Sequence, residues 1–243
     1  MVLNIAHRGG AGLAPENTIA CFRKGMKFAD MLELDVQPSR DKYLMVFHDR
    51  QGIERTTNGK GKVPDLTFDY LSSLDAGSWF HRNYKNERIP SLSEVLRISS
   101  SENILYNIEL KYYDPKNDWF ENEIIKTIKQ FKIANRTVIT ARYPENIIRL
   151  QELETNIDCA LLQKERSKSE YLKLLLELDC KTAQIRPSAL DQDFISKCHD
   201  KKIRVFFFYA DDHSTMRKAA ELGVDGILTN HPDRLKEFLT KDS

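Results

Sequence analysis

The chain has 243 residues, 41% hydrophobic and 30% charged, which excludes a disordered chain and suits one larger core or two small domains. Lys and Arg number 37 against 36 Asp and Glu, and the net charge of +1 excludes a whole-molecule attraction to nucleic acid or anionic membrane. Charge selectivity, where it exists, must be local, and no basic stripe interleaved with aromatics suggests a nucleic-acid surface.

Short apolar runs alternate with amphipathic stretches. The predicted strands are 3–7, 31–36, 43–48, 104–110, 137–141, 158–162, 182–186, 203–209 and 224–229. Between most of them apolar residues recur at helical spacing: Ile19, Phe22, Met26 and Ala29 share one face, and so do Phe120, Ile124, Ile128 and Phe131. Pro144 and Pro232 suit the first turns of the helices that follow them. Alternation of this kind, repeated about eight times, predicts an α/β fold, a (β/α)8 TIM barrel. Nine strands are one too many. The link "QPSRDK" between 31–36 and 43–48 is too short for a parallel crossover, so 43–48 reads as a hairpin or an excursion outside the barrel. Residues 49–90, with the turn-rich "TTNGKGK", read as a small insertion after that third strand, capping one rim. The whole of 1–243 is then expected to be a single domain.

Cys21, Cys159, Cys180 and Cys198 lie in apolar segments with no metal-like spacing, so buried thiols in a reducing compartment are expected. There is no secretory pattern at the start and no apolar run approaching a membrane span. The expectation is a cytoplasmic protein with no transmembrane segment. Oligomeric state is not legible.

Strand alternation places the chemistry. In "LELDV", Glu33 and Asp35 share one face; in "NIELK", Asn107, Glu109 and Lys111 share another, with aliphatics opposite in both. Inside a barrel the aliphatics meet the helices and the charges point inward, where unpaired carboxylates are costly. Glu33, Asp35 and Glu109 therefore form a candidate oxygen site for a hard divalent cation, and carboxylate chemistry alone does not choose between Mg2+, Ca2+ and Mn2+. His7 and His48 are read as ending strands at the catalytic rim. They become candidate proton-transfer groups, Arg8 and Lys111 become candidate phosphate ligands, and the glycines after Arg8 are read as room for a substrate. Plainer roles compete. Asn17 reads as a helix N-cap and Asp49 as a partner for His48 or a cap. Asp211 and Asp212 read as the start of the helix from 213. His81, His199, His213 and His231 have no matching charged neighbours.

The ordered set "HRGGAGLAPENT", "LELDV", "FHD", "ERTTNGKGKV", "IPSLSEVL", "NIELK" and "GVDGILTNHPD" resembles the glycerophosphodiester phosphodiesterase family, within the phospholipase-C-like phosphodiesterases, from about residue 5 to 235. The resemblance implies metal-dependent hydrolysis of a small glycerophosphodiester to an alcohol and glycerol 3-phosphate. It implies Mg2+ or Ca2+ on Glu33, Asp35 and Glu109, His7 and His48 as acid and base, and Arg8 and Lys111 on the phosphate. It also implies attack by the substrate's own hydroxyl through a cyclic phosphate, in keeping with the absence of a GxSxG elbow. Two stretches depart from the family pattern. "FFFYADD" replaces the usual Trp-Thr-Val-Asn, with Phe207 as a candidate pocket aromatic, and "TARYP" replaces Ser-Phe. These leave two other readings open: lysophospholipase-D-like hydrolysis of lysophospholipids, and a non-catalytic phosphodiester sensor.

Overall fold

The structure is a computed structural model, and it describes residues 2–154 and 156–241. The chain enters β1 (Leu3–Ala6), makes a 3-10 turn at His7–Gly9, and passes through α1 (Ile19–Gly25) to β2 (Met31–Pro38). Next come β3 (Leu44–Val46), α2 (Phe68–Ser73), α3 (Leu92–Ser99) and β4 (Leu105–Leu110). From there strand and helix alternate regularly: α4 (Trp119–Gln130), β5 (Thr137–Ala141), α5 (Pro144–Leu153), β6 (Asp158–Leu162), α6 (Lys168–Glu177) and β7 (Thr182–Ile185). The last elements are α7 (Gln192–Asp200), β8 (Arg204–Phe208), α8 (His213–Glu221), β9 (Gly226–Thr229) and α9 (Pro232–Lys241).

Eight strands close into a parallel barrel in the order β1-β2-β4-β5-β6-β7-β8-β9, sealed by β1 pairing with β9. β3 stands outside it, antiparallel to β2 with Val36 opposite Val46. This is the expected hairpin. Short local signals start the helices. Ser91 and Glu94 form a capping box on α3, Ser167 and Glu170 form another on α6, and Pro144 and Pro232 open α5 and α9.

Alternation divides the strand residues between two cores. Leu32, Leu34, Val36, Ile108 and Leu110 face the helix ring, with Phe22, Phe120, Ile124 and Ile128 among their partners in that layer. Ile5, Met31, Val138, Ala160, Phe206 and Leu228 fill the barrel's interior. Residues 49–90 carry one short helix, α2, and two 3-10 turns, Val63–Asp65 and Arg82–Tyr84. They pack Ile53, Val63, Leu71, Leu74, Ala76 and Ile89 with Met45 and Phe47 into a core of their own. No helix among the described residues is long and apolar enough to cross a membrane.

Candidate active site

Parallel register sets the centre of the site. Asp35 on β2 lies directly opposite Glu109 on β4, and Glu33 opposite Asn107. Three carboxylates consequently converge: ligand atoms of Glu33, Asp35 and Glu109 lie within 4.8 Å of one another, on buried residues. Below them Asn107 Nδ2 donates to Gln184 Oε1 at 3.0 Å and Thr140 Oγ1 donates to Asn107 Oδ1 at 2.5 Å, a polar floor that holds β4 and its neighbours in place.

The neighbours of the triad treat its members differently. Burial, with the charges of Asp35 and Glu109, pushes the Glu33 carboxyl well above its ordinary range. Burial would raise Asp35 too, but Lys111, His48 and Arg8, together with a 2.7 Å hydrogen bond from Asn17 Nδ2, hold it far below. Glu33 Oε2 accepts from the Arg8 backbone N–H at 2.7 Å, while buried Glu33 Oε1 has no hydrogen-bond partner. Lys111 Nζ sits 3.0 Å from Asp35 Oδ1 and also pairs with Glu109. Burial disfavours its ammonium, yet Asp35 and Glu109 more than compensate and raise it. An orphaned buried carboxylate oxygen in an all-oxygen set fits a hard divalent cation. Glu33, Asp35 and Glu109 could hold one.

The two histidines are held by unlike partners. His7 lies one residue beyond β1, in the 3-10 turn, and His48 two residues beyond β3, rather than at the strand ends themselves. His7 Nδ1 is 2.8 Å from Asn230 Oδ1. Asn230 Nδ2 donates to Asp211 Oδ2 at 2.7 Å, so the amide presents its oxygen to His7, and His7 Nδ1 must carry the hydrogen. His7 Nε2 is left facing Glu33, 4.0 Å from Oε2. Burial first, and Arg8 second, pull its pKa down to about 4. The Phe208 and Tyr209 rings cover it, Tyr209 stacked at 5.8 Å. His48 instead hydrogen-bonds a carboxylate, with Nδ1 2.7 Å from Asp49 Oδ1. Asp49 Oδ2 is held by Arg55 Nε at 2.5 Å, and Arg55 also bonds Glu16. Arg8 closes this ring, with Nη1 2.8 Å from Glu16 and Nε 3.6 Å from Asp35.

A cavity of about 770 Å³ opens beside the triad, with His48, Glu109, Lys111 and Phe208 on its wall. His7, Glu33 and Asp35 lie deeper. Phe207 is not a pocket residue. It is fully buried in the layer between barrel and helices, because Phe206 and Phe208 take the inward face of β8 and alternation turns Phe207 outward. Tyr209, just past the strand, is the exposed aromatic of this stretch.

Several plainer readings also change. Thr18, not Asn17, caps α1, its hydroxyl accepting from Cys21 N at 3.3 Å. Asn17 has φ +57 and turns its amide onto Asp35. Asp212 alone caps α8, while Asp211 orients Asn230. Neither Asn17 nor Asn230 carries a spacing signal that separates it from an ordinary turn residue. Gly9 (φ +83) and Gly10 (φ +95) have a fold role of their own: both are left-handed, and a Cβ on Gly9 would come within 2.9 Å of the Phe22 ring. His199 does find a carboxylate, Asp225 at 2.9 Å, but beside the start of β9, at the opposite end of the barrel.

Strand C-termini are where barrel enzymes build their active sites, and this rim holds buried acids, two oriented imidazoles and a wide cationic cavity. The sequence pattern of the glycerophosphoryl diester phosphodiesterase family matches residues 7–234, and the chain belongs to that family. A glycerophosphodiester phosphodiesterase of Caldanaerobacter subterraneus is 32% identical, over 98% of this chain and 98% of its own. Among solved structures, an Oleispira antarctica phosphodiesterase in complex with the product sn-glycerol-3-phosphate is 26% identical with a TM-score of 0.88, covering 98% of this chain and 96% of that one. A glycerophosphodiester phosphodiesterase of Agrobacterium tumefaciens is also 26% identical, with a TM-score of 0.86 and coverage of 98% and 100%.

Proposed function

We propose that the chain, as one barrel domain, hydrolyses glycerophosphodiesters to an alcohol and glycerol 3-phosphate at this rim. The observation that carries the reading is the acidic triad with His7 at one flank and His48 at the other, in a chain of this family. Glu33, Asp35 and Glu109 would hold a divalent cation, Mg2+ or Ca2+ with Mn2+ as a further candidate. When bound it would supply Lewis-acid stabilisation of charge on the phosphoryl oxygens.

The residues of the chain divide the proton work. His7, with Nδ1–H fixed by Asn230, presents Nε2 as a lone pair and acts as base in the first step. It takes the proton of the glycerol 2-hydroxyl as that oxygen attacks phosphorus. His48, oriented by its 2.7 Å hydrogen bond to Asp49 Oδ1, gives a proton to the departing alcohol oxygen. The P–O bond to the alcohol breaks and a cyclic phosphate remains. The roles then reverse: His48 takes a proton from water as it attacks phosphorus, and His7 returns its proton to the 2-oxygen as the ring opens. Arg8 and Lys111 offset the charge on phosphorus oxygens. Intramolecular attack needs no enzyme nucleophile and gains from proximity.

The lysophospholipid alternative was motivated by the aromatic run of β8. Phe206 and Phe207 are both buried in core layers, so only Phe208 on the cavity wall and the exposed Tyr209 are left to support it. A coupled assay for glycerol 3-phosphate, with glycerophosphodiesters and lysophosphatidylcholine side by side, tests the reading. Product from the deacylated substrates, abolished by chelator, is expected. Product only from the acylated one would sink it.

A further inference from the structure

The cavity wall beyond the triad carries charge that the reaction at phosphorus does not use. Arg50, Arg142 and Lys164, from three separate loops, all line it. They converge on one aromatic ring, Tyr143: the Arg50 and Arg142 guanidinium carbons lie 5.5 and 5.9 Å from its centroid and Lys164 Nζ lies 5.5 Å away. Arg50 Nη2 also donates to the Tyr143 hydroxyl at 2.9 Å. Among the described residues, none of these three cations has a carboxylate within ion-pair distance.

The acids of the same wall are engaged elsewhere. Asp49 is shared by His48 and Arg55, Glu109 is paired with Lys111, and Glu54 Oε1 accepts from Gly61 N at 3.0 Å. A fourth cation, Arg186, reaches outward to Glu165 at 2.8 Å. Gathering three like charges around one ring is unfavourable unless something of opposite sign enters. Cation–π attraction to the ring holds the cations in place but leaves their charge uncancelled. The same arrangement works against a quaternary ammonium, which needs an unoccupied aromatic face, and Tyr143 already has three cations on it.

We infer that Arg50, Arg142 and Lys164 around Tyr143 form an anion subsite for the alcohol half of the substrate, so that the preferred diester carries a second phosphate on its leaving alcohol. This second phosphate is a terminal monoester or the next diester of a short glycerol phosphate chain. The inference rests on the phosphodiesterase reading for the chemistry at the other end of the cavity, and on the cation cluster for everything else.

The test compares kcat/KM for glycerophosphoglycerol, its 3-phosphate, a glycerol phosphate trimer and glycerophosphocholine, with the native protein and the Arg142→Gln/Lys164→Gln variant. The phosphorylated diesters should be favoured over glycerophosphoglycerol by roughly tenfold or more, an advantage that shrinks as salt is added. The 3-phosphate and the trimer separate the monoester source from the diester one. The double variant should bring the advantage within about twofold while leaving glycerophosphoglycerol turnover nearly unchanged. Equal or better turnover of glycerophosphoglycerol or glycerophosphocholine by the native protein would overturn the inference, as would a variant that slows all substrates alike. Calorimetric titration of the same diesters into both proteins, held in chelator, reads the subsite without turnover. If nothing is hydrolysed but the phosphorylated diester still binds more tightly, and only to the native protein, the reaction assigned above is wrong and the subsite stands. If the titrations show no such difference, the subsite falls.

Discussion

His7 and His48 illustrate how partners decide what one residue type can do. Both are imidazoles beside the same acids, but one leans on an amide and the other on a carboxylate. Replacing either with alanine should lower kcat by about 10²–10⁴-fold, with circular dichroism confirming an intact fold. A quieter effect belongs to Asp211, whose two oxygens hold the backbone and side chain of Asn230 and thereby the tautomer of His7. Asp211→Ala should reduce kcat by about tenfold with little change in KM, since the substrate contacts remain while the base loses its orientation. An equal rise in KM would instead point to a substrate contact. The thiols sit at the inert extreme. Burial pushes Cys180 and Cys198 up to about 12, and Cys21 and Cys159 higher still. Their folded pKa values exceed the unfolded ones. The stability they contribute is therefore complete below about pH 8.5 and is lost as pH rises through that value towards 12. Urea midpoints should fall across that window, and maleimide should label the cysteines only after unfolding.

At the scale of elements, α1 is pressed against the His7–Gly9 turn. A Cβ on Gly25 would stand 2.2 Å from the Gly9 carbonyl oxygen, a backbone atom that cannot swing away. Gly25→Ala should cost about 1–3 kcal/mol in urea denaturation and loosen the turn that delivers His7 and Arg8. A variant as stable as the native protein would mean that the helix moves freely. The alternation of β2 and β4 is legible in sequence because polar and aliphatic residues strictly interleave in "LELDV" and "NIELK", so the shared facing of Glu33 with Asp35, and of Asn107 with Glu109, follows from the pattern. β8 is harder: in "RVFFF" the inward side is marked by a single polar residue, Arg204 at the strand's first position, and the three consecutive Phe that follow do not show which of them faces the pocket; Phe207 faces the helices. Asn17 failed for a different reason. Asn and Thr are both good caps, and only tertiary contact with Asp35 shows that the chain uses Thr18 for the helix and Asn17 for the acid. The insertion was legible as irregular, while its separate core depends on pairing with Met45 and Phe47 from outside the segment.

For the whole molecule, the barrel gathers three buried carboxylates at the centre of one rim and sets Lys111 and Arg8 against them. A divalent cation that binds only the folded chain should stabilise it, by about 2.7 kcal/mol at a hundred times its dissociation constant. Thermal melts with added Mg2+ or Ca2+ should shift upward, and Glu33→Gln should abolish most of the shift. An equal shift in that variant would place the cation elsewhere.

The closure of the sheet has one more consequence. Eight strands spend their backbone groups on one another, and β3, the strand left outside the ring, is three residues long. Its outer side is met by Pro90, whose carbonyl accepts from Val46 N at 2.8 Å, and by a bridge between Met45 and Ser91. A folded molecule of this shape offers almost no template on which a second chain could add a strand. Fibril-like association would have to begin from an opened barrel, so its onset should track unfolding rather than protein concentration alone.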